Sequence, residues 1–135
     1  MDKKAGKRIL IVDDDENIVR ILAINLRLEG HEVASAFDGV TAVMQAHRFQ
    51  PDLILLDIMM PGGNGFSVVD KLRNSTRTIG IPIVFISALP KEDLDQRAAE
   101  AGVSHYFSKP FDMNAILYYI NNEMYLEEAR ARAAG

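Results

Sequence analysis

Two residue types are missing from this chain of 135 residues, which contains neither cysteine nor tryptophan. Without cysteine it can form no disulfide bond, no thiolate nucleophile and no zinc site of the cysteine type. No apolar run approaches the roughly 20 residues that a membrane-spanning helix needs. The basic start, MDKKAGKRIL, is not followed by the long apolar segment of a secretory signal. We therefore expect a cytoplasmic protein without a membrane partner.

The remaining composition is that of one compact domain with a sizeable core. Hydrophobic residues make up 48% of the chain and charged residues 25%, and the net charge is −4. An acidic balance does not favour binding to nucleic acid, and we expect no nucleic-acid partner for this chain. The basic residues Lys3, Lys4, Lys7 and Arg8 cluster at the amino end, where we expect a solvated arm over residues 1–7.

Short apolar runs alternate with helical patterns along the whole chain. The runs cover residues 8–12, 31–36, 52–57, 81–87 and 104–108, and three of them are apolar on both faces, as in parallel strands buried between helices. Helices are predicted at 17–29, 38–49, 65–74 and 91–101, and from Asp112 onward. This repeated strand–helix order predicts an α/β fold with right-handed crossovers.

Polar residues follow the predicted strands at their carboxyl ends, where such sheets bind ligands. Asp13, Asp14 and Asp15 follow the first strand, Asp57 the third, Ser87 the fourth and Lys109 the fifth. Two carboxylates about 4 Å apart repel by roughly 4 kcal/mol at a dielectric near 20, so a compensating charge is needed. Carboxylates without cysteine favour a hard cation, Mg²⁺ before zinc.

These residue types suit phosphoryl transfer, which mainly needs positioning and charge neutralisation. Asp57 is the candidate nucleophile that would form an acyl phosphate. Lys109 is a compact positive charge for the phosphoryl group, and the hydroxyl of Ser87 is a hydrogen-bond donor to it.

Four motifs, in order and in register, resemble the receiver domain of two-component response regulators of the chemotaxis type. They are ILIVDDDEN, LILLDIMMPGGNGF, VFISA and YFSKPF, and the resemblance covers residues 8 to about 123. It implies a doubly wound, flavodoxin-like sheet of five parallel strands in the order 2-1-3-4-5, flanked by five helices. It also implies a phosphorylation-regulated switch rather than an enzyme acting on separate substrates.

The resemblance assigns roles residue by residue. Asp57 would accept phosphate from a phosphohistidine of a sensor kinase or a histidine phosphotransferase. Asp14, Asp57 and the carbonyl of Met59 would bind Mg²⁺, and Asp13 would act through metal-bound water. Ser87 and Lys109 would bind the phosphoryl group, and the Lys109–Pro110 bond would be cis.

Further implications concern switching and partners. Tyr106 occupies the position of the switch aromatic, which turns inward when Ser87 moves toward the phosphate. The first helix would dock the phosphohistidine donor through Ile18, Ile21 and Ile24, and the last two lie opposite its core face. A downstream protein target would bind the face formed by the fourth helix, the fifth strand and the fifth helix.

Several features have more than one interpretation. Asp15 is either a third acidic group of the site or the N-cap of the next helix, and we favour the cap. The PGGNG segment at 61–65 lacks both phosphate-loop patterns and is interpreted as a tight turn. His31, His47 and His105 have no ligand spacing and are interpreted as structural.

Three other functions were weighed against the receiver. Asp13 and Asp15 resemble the opening motif of haloacid-dehalogenase-type phosphatases, in which Asp13 would be the nucleophile, but the acidic pair Glu92–Asp93 begins a predicted helix. A calcium loop starting at Asp13 lacks its glycine and glutamate. A flavin-binding module would place an anionic cofactor against three carboxylates.

We divide the chain into the arm, a receiver domain at 8–124 and a helical extension or tail at 125–135. No DNA-binding or catalytic segment is recognisable after the last predicted helix, so we expect either a stand-alone receiver or a piece of a longer protein.

Overall fold

The computed structural model describes residues 6–60 and 65–134. It contains one sheet of five parallel strands, in the order β2-β1-β3-β4-β5. The strands are β1 (Arg8–Val12), β2 (Glu32–Ala36), β3 (Leu53–Leu56), β4 (Ile83–Ser87) and β5 (His105–Ser108). Each predicted apolar run contains one of them, and the predicted strand order is confirmed.

The helices follow the strands in the predicted alternation. They are α1 (Glu16–Leu28), α2 (Gly39–Phe49), α3 (Gly65–Arg73), α4 (Lys91–Ala101) and α5 (Met113–Tyr118). A π-helical turn at Tyr119–Glu123 connects α5 directly to α6 (Met124–Ala134). The helical path therefore runs from Met113 to Ala134, and the sequence pattern did not indicate the π turn within it.

Side chains of the strands alternate between two cores because successive residues of a strand point to opposite faces. On one face, Ile9 and Ile11 of β1 pack with apolar residues of α1 and α5. On the other, Leu10 and Val12 pack with residues of α2, α3 and α4. The two layers of helices cover both faces of the sheet, which is why β3 and β4 are buried along their whole length.

Aspartates begin three of the helices by satisfying free backbone amides. The side chain of Asp15 accepts hydrogen bonds from the amides of Asn17, at 2.9 Å, and Ile18, at 3.4 Å. The N-cap interpretation of Asp15 is therefore confirmed. Asp38 and Asp112 cap α2 and α5 in the same way. The tight turn predicted at 61–65 lies, except for Gly65, outside the described residues.

Helix α2 packs on the sheet through alanines. Ala42 and Ala46 are 1% and 0% exposed, whereas the larger Val40 and Met44 are 70% and 48% exposed. Two of the larger apolar side chains of α2, Val40 and Met44, therefore face outward.

Contacts between distant parts of the chain hold the C-terminal helix. The ammonium of Lys7 lies 2.7 and 2.9 Å from the two carboxylate oxygens of Glu128, and its side chain is only 11% exposed. Lys7 thus differs from the solvated arm residue that we expected, while Lys3 and Lys4 lie outside the described residues.

The π turn supplies two further contacts. Its Asn121 lies 2.9 Å from Nε2 of His31, and its Glu123 lies 3.1 Å from Nε2 of His105. The Nδ1 atom of His31 accepts a hydrogen bond from the amide of Lys7, and both ring nitrogens of His47 are also hydrogen-bonded within the fold. The structural interpretation of the three histidines agrees with these contacts.

No helix within 6–60 or 65–134 combines the length and apolar character that crossing a membrane requires.

Candidate functional site

Two buried carboxylates meet at the carboxyl edge of the sheet. Asp13 follows β1 and Asp57 follows β3, and these strands are neighbours. The amide of Asp13 donates to the carbonyl of Ala36, at 3.2 Å, and that of Asp57 to the carbonyl of Val12, at 2.9 Å. Because these bonds continue the pairing of the sheet, the two side chains are held side by side, and they are 2% and 3% exposed.

Asp14 completes an acidic cluster with these two residues. One carboxylate oxygen from each of Asp13, Asp14 and Asp57 lies within 4.8 Å of the others, and Asp14 is the exposed member. Oxygen donors at this density are the ligands that Mg²⁺ prefers, and Mg²⁺ needs only one or two carboxylates. The residues present therefore fit a magnesium ion, with the exposed side of Asp14 open to solvent.

Lys109 inserts its ammonium between the buried carboxylates. Its Nζ lies 2.8 Å from Oδ2 of Asp13 and 3.2 Å from Oδ2 of Asp57, and its side chain is 17% exposed. The backbone amide of Lys109 donates to the carbonyl of Ser87 at 2.7 Å, which fixes the start of the loop after β5. The Lys109–Pro110 bond is cis, as the resemblance implied.

The charges of this cluster shift the pKa values of its members. Burial raises the pKa of Asp57 above its usual range, and the charge of Asp13 adds to this effect, against the opposing hydrogen bond from Met59 and the charge of Lys109. Burial alone would lower the pKa of Lys109, but the carboxylates of Asp13 and Asp57 raise it overall. Burial thus dominates the pKa of Asp57, whereas the two neighbouring carboxylates outweigh burial in setting the pKa of Lys109.

The segment after β3 contributes backbone contacts to the site. The amide of Met59 donates to Oδ1 of Asp57 at 3.0 Å, while the Met59 side chain is 58% exposed. The amide of Gly65 donates to the carbonyl of Ile58 at 2.8 Å. A Cβ atom at Gly65 would lie 2.8 Å from Cα of Ile58 and 3.0 Å from the carbonyl oxygen of Asp57, so only glycine fits. The sequence offers one signal for this glycine, its position as the first residue of a predicted helix.

Ser87 and Tyr106 lie on the neighbouring strands β4 and β5. Ser87 is fully buried, and its Oγ accepts a hydrogen bond from the amide of Leu89 at 3.2 Å. Tyr106 is half-buried, and its hydroxyl donates to Oδ1 of Asp95 in α4. That hydrogen bond raises the pKa of Tyr106. The side chain of Tyr106 is thus hydrogen-bonded to α4 in this structure.

The residues expected to dock a donor differ in exposure. Ile21 and Ile24 are 51% and 52% exposed, on the side of α1 opposite its core residues, whereas Ile18 is half-buried against the core. Ile21 and Ile24 therefore form the accessible part of this surface.

The acidic pair required by the phosphatase alternative lies elsewhere. Glu92 and Asp93 are in the first turn of α4 rather than at the end of a strand. The aspartates of the cluster are thus the one group of three or more metal-ligating side chains found within the described ranges.

Comparison with known proteins identifies the family. The family model for the response regulator receiver domain matches residues 9–121. The chain is 40% identical, over 110 residues, to the "DNA-binding dual master transcriptional regulator RpaA" of a Synechocystis species, covering 82% of this chain and 46% of the relative. It is 40% identical, over 131 residues, to the "Response regulator PleD" of Caulobacter vibrioides, covering 94% of this chain and 29% of the relative.

A solved structure agrees with these relatives. The chemotaxis protein CheY4 of Vibrio cholerae superposes with a TM-score of 0.79 and 28% identity, over 86% of this chain and 97% of that one. The chain spans less than half the length of the two curated relatives. On the match of the family model and the two sequence relatives, the chain belongs to the receiver domains of response regulators, the phosphate-receiving signalling switches of two-component systems.

Proposed function

We propose that this chain accepts a phosphoryl group on Asp57 from the phosphohistidine of a sensor kinase or a histidine phosphotransferase, with Mg²⁺ as cofactor. The observation that carries the proposal is the position of the Lys109 ammonium, 2.8 Å from Asp13 and 3.2 Å from Asp57. A buried carboxylate with an adjacent fixed cation and two further acidic groups suits in-line attack on phosphorus, because the charge of the transferred group can be balanced.

The transfer exchanges one bond to phosphorus for another and needs no further reactant besides Asp57 and the phosphohistidine. A carboxylate oxygen of Asp57 attacks phosphorus, the phosphorus–nitrogen bond to the donor histidine breaks, and the electron pair remains on the imidazole nitrogen. The product is an aspartyl phosphate, an acyl phosphate that water can later hydrolyse. Lys109 would pair with a phosphoryl oxygen in the product, and the hydroxyl of Ser87 would donate to another.

Mg²⁺ would be held by Asp14, Asp57 and the carbonyl of Met59, with Asp13 acting through metal-bound water and further water in the remaining positions. When bound, it supplies positive charge that neutralises the phosphoryl oxygens. The requirement for such charge follows from the chain itself, since the cluster holds three carboxylates and the one ammonium beside it contacts only Asp13 and Asp57.

Phosphorylation would be signalled through a change in the position of the Tyr106 side chain. In the structure its hydroxyl is bound to Asp95 of α4. A movement of Ser87 toward a phosphoryl group would vacate space into which the Tyr106 ring turns, and the bond to Asp95 would break. The face formed by α4, β5 and α5 would change accordingly and would bind a downstream protein, while Ile21 and Ile24 of α1, flanked by Ile18, would contact the donor. All these events would take place in the cytoplasm.

Residues 8–124 would carry this switch, and residues 125–135 would be a helical extension of it. The contact of Glu128 with Lys7 supports a role of the extension in holding the start of β1.

The test is the site of phosphorylation. Acetyl phosphate with Mg²⁺ should label the protein, and Asp57→Asn should abolish the label, as should a chelator. Asp15→Asn is the matched control, since Asn is an equally good helix cap and should leave labelling unchanged. Borohydride reduction followed by peptide mass spectrometry locates the acyl phosphate. A label on Asp13, or labelling of Asp57→Asn at the level of the parent, would favour the phosphatase mechanism and reject ours.

A further inference from the structure

A groove of about 460 Å³ lies between α2 and α3, on the face of the sheet opposite α1. Val40, Val43 and Met44 form its apolar surface. These residues have the spacing i, i+3, i+4, and thus lie along one side of α2. Val40 and Met44 are 70% and 48% exposed, an unusual position for two large apolar side chains on adjacent turns of a helix that packs on the core through alanines.

The wall of the groove is already fixed in the free protein. His47 uses Nδ1 to contact the carbonyl of Val43, at 3.0 Å, and Nε2 to contact Oγ of Ser75, at 3.1 Å. The guanidinium of Arg77 donates to the carbonyl of His47 at 3.2 Å. A partner would therefore meet a preformed surface and would spend little free energy on ordering it.

The rim of the groove is basic in an acidic protein. Arg48 and Lys71 line it, none of its lining residues in the described part of the chain is acidic, and the chain as a whole has a net charge of −4. Within residues 6–60 and 65–134, neither Arg48 nor Lys71 forms an ion pair with a carboxylate. Both lie near the carboxyl ends of their helices, so the positive charge is concentrated at one end of the groove.

We propose that this groove binds an amphipathic helix of a partner protein, whose apolar side chains contact Val40, Val43 and Met44 and whose acidic side chains pair with Arg48 and Lys71. An apolar helix face laid in a groove is a common mode of peptide recognition, and the charge of the rim selects an acidic helix. The site is separate from α1 and from the α4–β5–α5 face, so it can be occupied whether or not Asp57 is phosphorylated. The inference does not depend on the proposed phosphotransfer.

The experiment uses the full chain and a fluorescein-labelled helical peptide of about four turns, roughly 14 residues. The peptide has leucines at i, i+3, i+4 and i+7 with glutamates beside them, and a second peptide has lysines in place of the glutamates. Fluorescence anisotropy should show saturable binding of the acidic peptide and at least about tenfold weaker binding of the basic one.

Variants test the location of the complex. Met44→Asp should weaken binding of the acidic peptide at least about tenfold, and so should Arg48→Glu combined with Lys71→Glu. Leu126→Asp, which alters a comparably exposed apolar residue on α6, is the matched control and should leave peptide binding unchanged. Because Arg48 and Lys71 are exposed, the charge-reversed variant keeps its fold, which circular dichroism checks, and it tests the proposal even if Met44→Asp is unstable.

Four outcomes overturn the proposal. They are no saturable binding of the acidic peptide, equal binding of the basic peptide, unchanged binding by the groove variants, and loss of binding in Leu126→Asp. Vesicles of phosphatidylglycerol form a separate arm. If they bind through Met44 while the acidic peptide does not, the groove serves a membrane surface and the protein partner is rejected.

Discussion

Replacing Lys109 by methionine should strongly destabilise the protein at neutral pH in the absence of divalent cations. Methionine has a similar length and no charge, so the substitution leaves Asp13 and Asp57 buried beside each other without their shared cation. Removing one partner from a buried ionic group is among the most destabilising kinds of substitution.

The magnitude follows from the geometry of the site. Two carboxylates no more than 4.8 Å apart repel by about 3.5 kcal/mol at a dielectric near 20. Protonation of Asp57 limits the loss. Protonating a carboxyl group with the ordinary pKa of 3.8 costs about 4.4 kcal/mol at pH 7. The repulsion between the two carboxylates can therefore destabilise the folded protein by no more than this amount. Methionine is also easier to bury than an ammonium, so we expect the free energy of unfolding to fall by about 3 kcal/mol. This is a large part of the about 5–15 kcal/mol by which a typical protein is stable.

Urea denaturation with a chelator present measures this loss. With a slope of about 2 kcal/mol per molar, the midpoint should fall by about 1.5 M. Lys91→Met is the matched control, because Lys91 pairs with Asp95 at 3.4 Å on the surface and its side chain is 75% exposed. It should lose less than about 1 kcal/mol. Adding Asp57→Asn to Lys109→Met should restore most of the stability, because the repulsion is then removed.

The pH dependence has a definite sign. Burial and Asp13 raise the pKa of Asp57 in the folded state, so between 3.8 and that raised value the folded chain binds a proton that the unfolded chain does not. Stability from this group is therefore present at low pH and is lost as the pH rises through the raised pKa. The pH range between these two pKa values should widen in Lys109→Met, because the cation that lowers the pKa of Asp57 is then absent. The stability lost in this variant should therefore become smaller as the pH falls from 7 toward 5. A loss no larger than that of Lys91→Met, or no recovery with Asp57→Asn, would refute the electrostatic reasoning.

Three further predictions concern signalling. Ile21→Lys should slow transfer from the cognate kinase about tenfold, since it puts a charge on the exposed side of α1, while labelling by acetyl phosphate stays intact; equal slowing of both reactions would indicate misfolding instead. Met59→Asn and Leu89→Glu should each accelerate decay of the phosphorylated protein, because a polar side chain can orient the attacking water; unchanged decay in both would exclude control of hydrolysis at these positions. Ser87→Thr should restrict χ1 and shift the NMR signals of the unphosphorylated Tyr106 ring toward the inactive position, and unshifted signals would contradict that coupling.

The convergence of the charged residues could be predicted without coordinates. Parallel strands bring their carboxyl ends to one edge of a sheet, so residues that follow β1, β3 and β5 must come together. The structure places Lys109 within hydrogen-bonding distance of both Asp13 and Asp57. Local rules sufficed likewise for Asp15, whose helix-capping role depends only on the residues next to it.

Features that depend on distance between packed elements could not be predicted. A hydrophobicity pattern ranks Val40 and Met44 above alanine, yet α2 lies so close to the sheet that the small Ala42 and Ala46 form its core face. Ile116, Ile120 and Met124 have the i, i+4, i+8 spacing of an ordinary helix, so the sequence pattern does not reveal the π turn at Tyr119–Glu123. Its residue Asn121 contacts His31, which lies 90 positions away along the chain, and a local pattern cannot indicate such a contact.

The contact between Lys7 and Glu128 has a consequence for the timing of biosynthesis. The two residues are separated by 121 positions, although they lie 2.7 Å apart in the folded protein. At about 5–20 residues per second, a ribosome needs roughly 6–24 s to travel between them. For that interval Lys7, directly before β1, lacks its carboxylate partner. The fold therefore gains this contact only after its last helix has been synthesised. A nascent chain halted before Glu128 should remain more accessible to proteases and chaperones than the released protein.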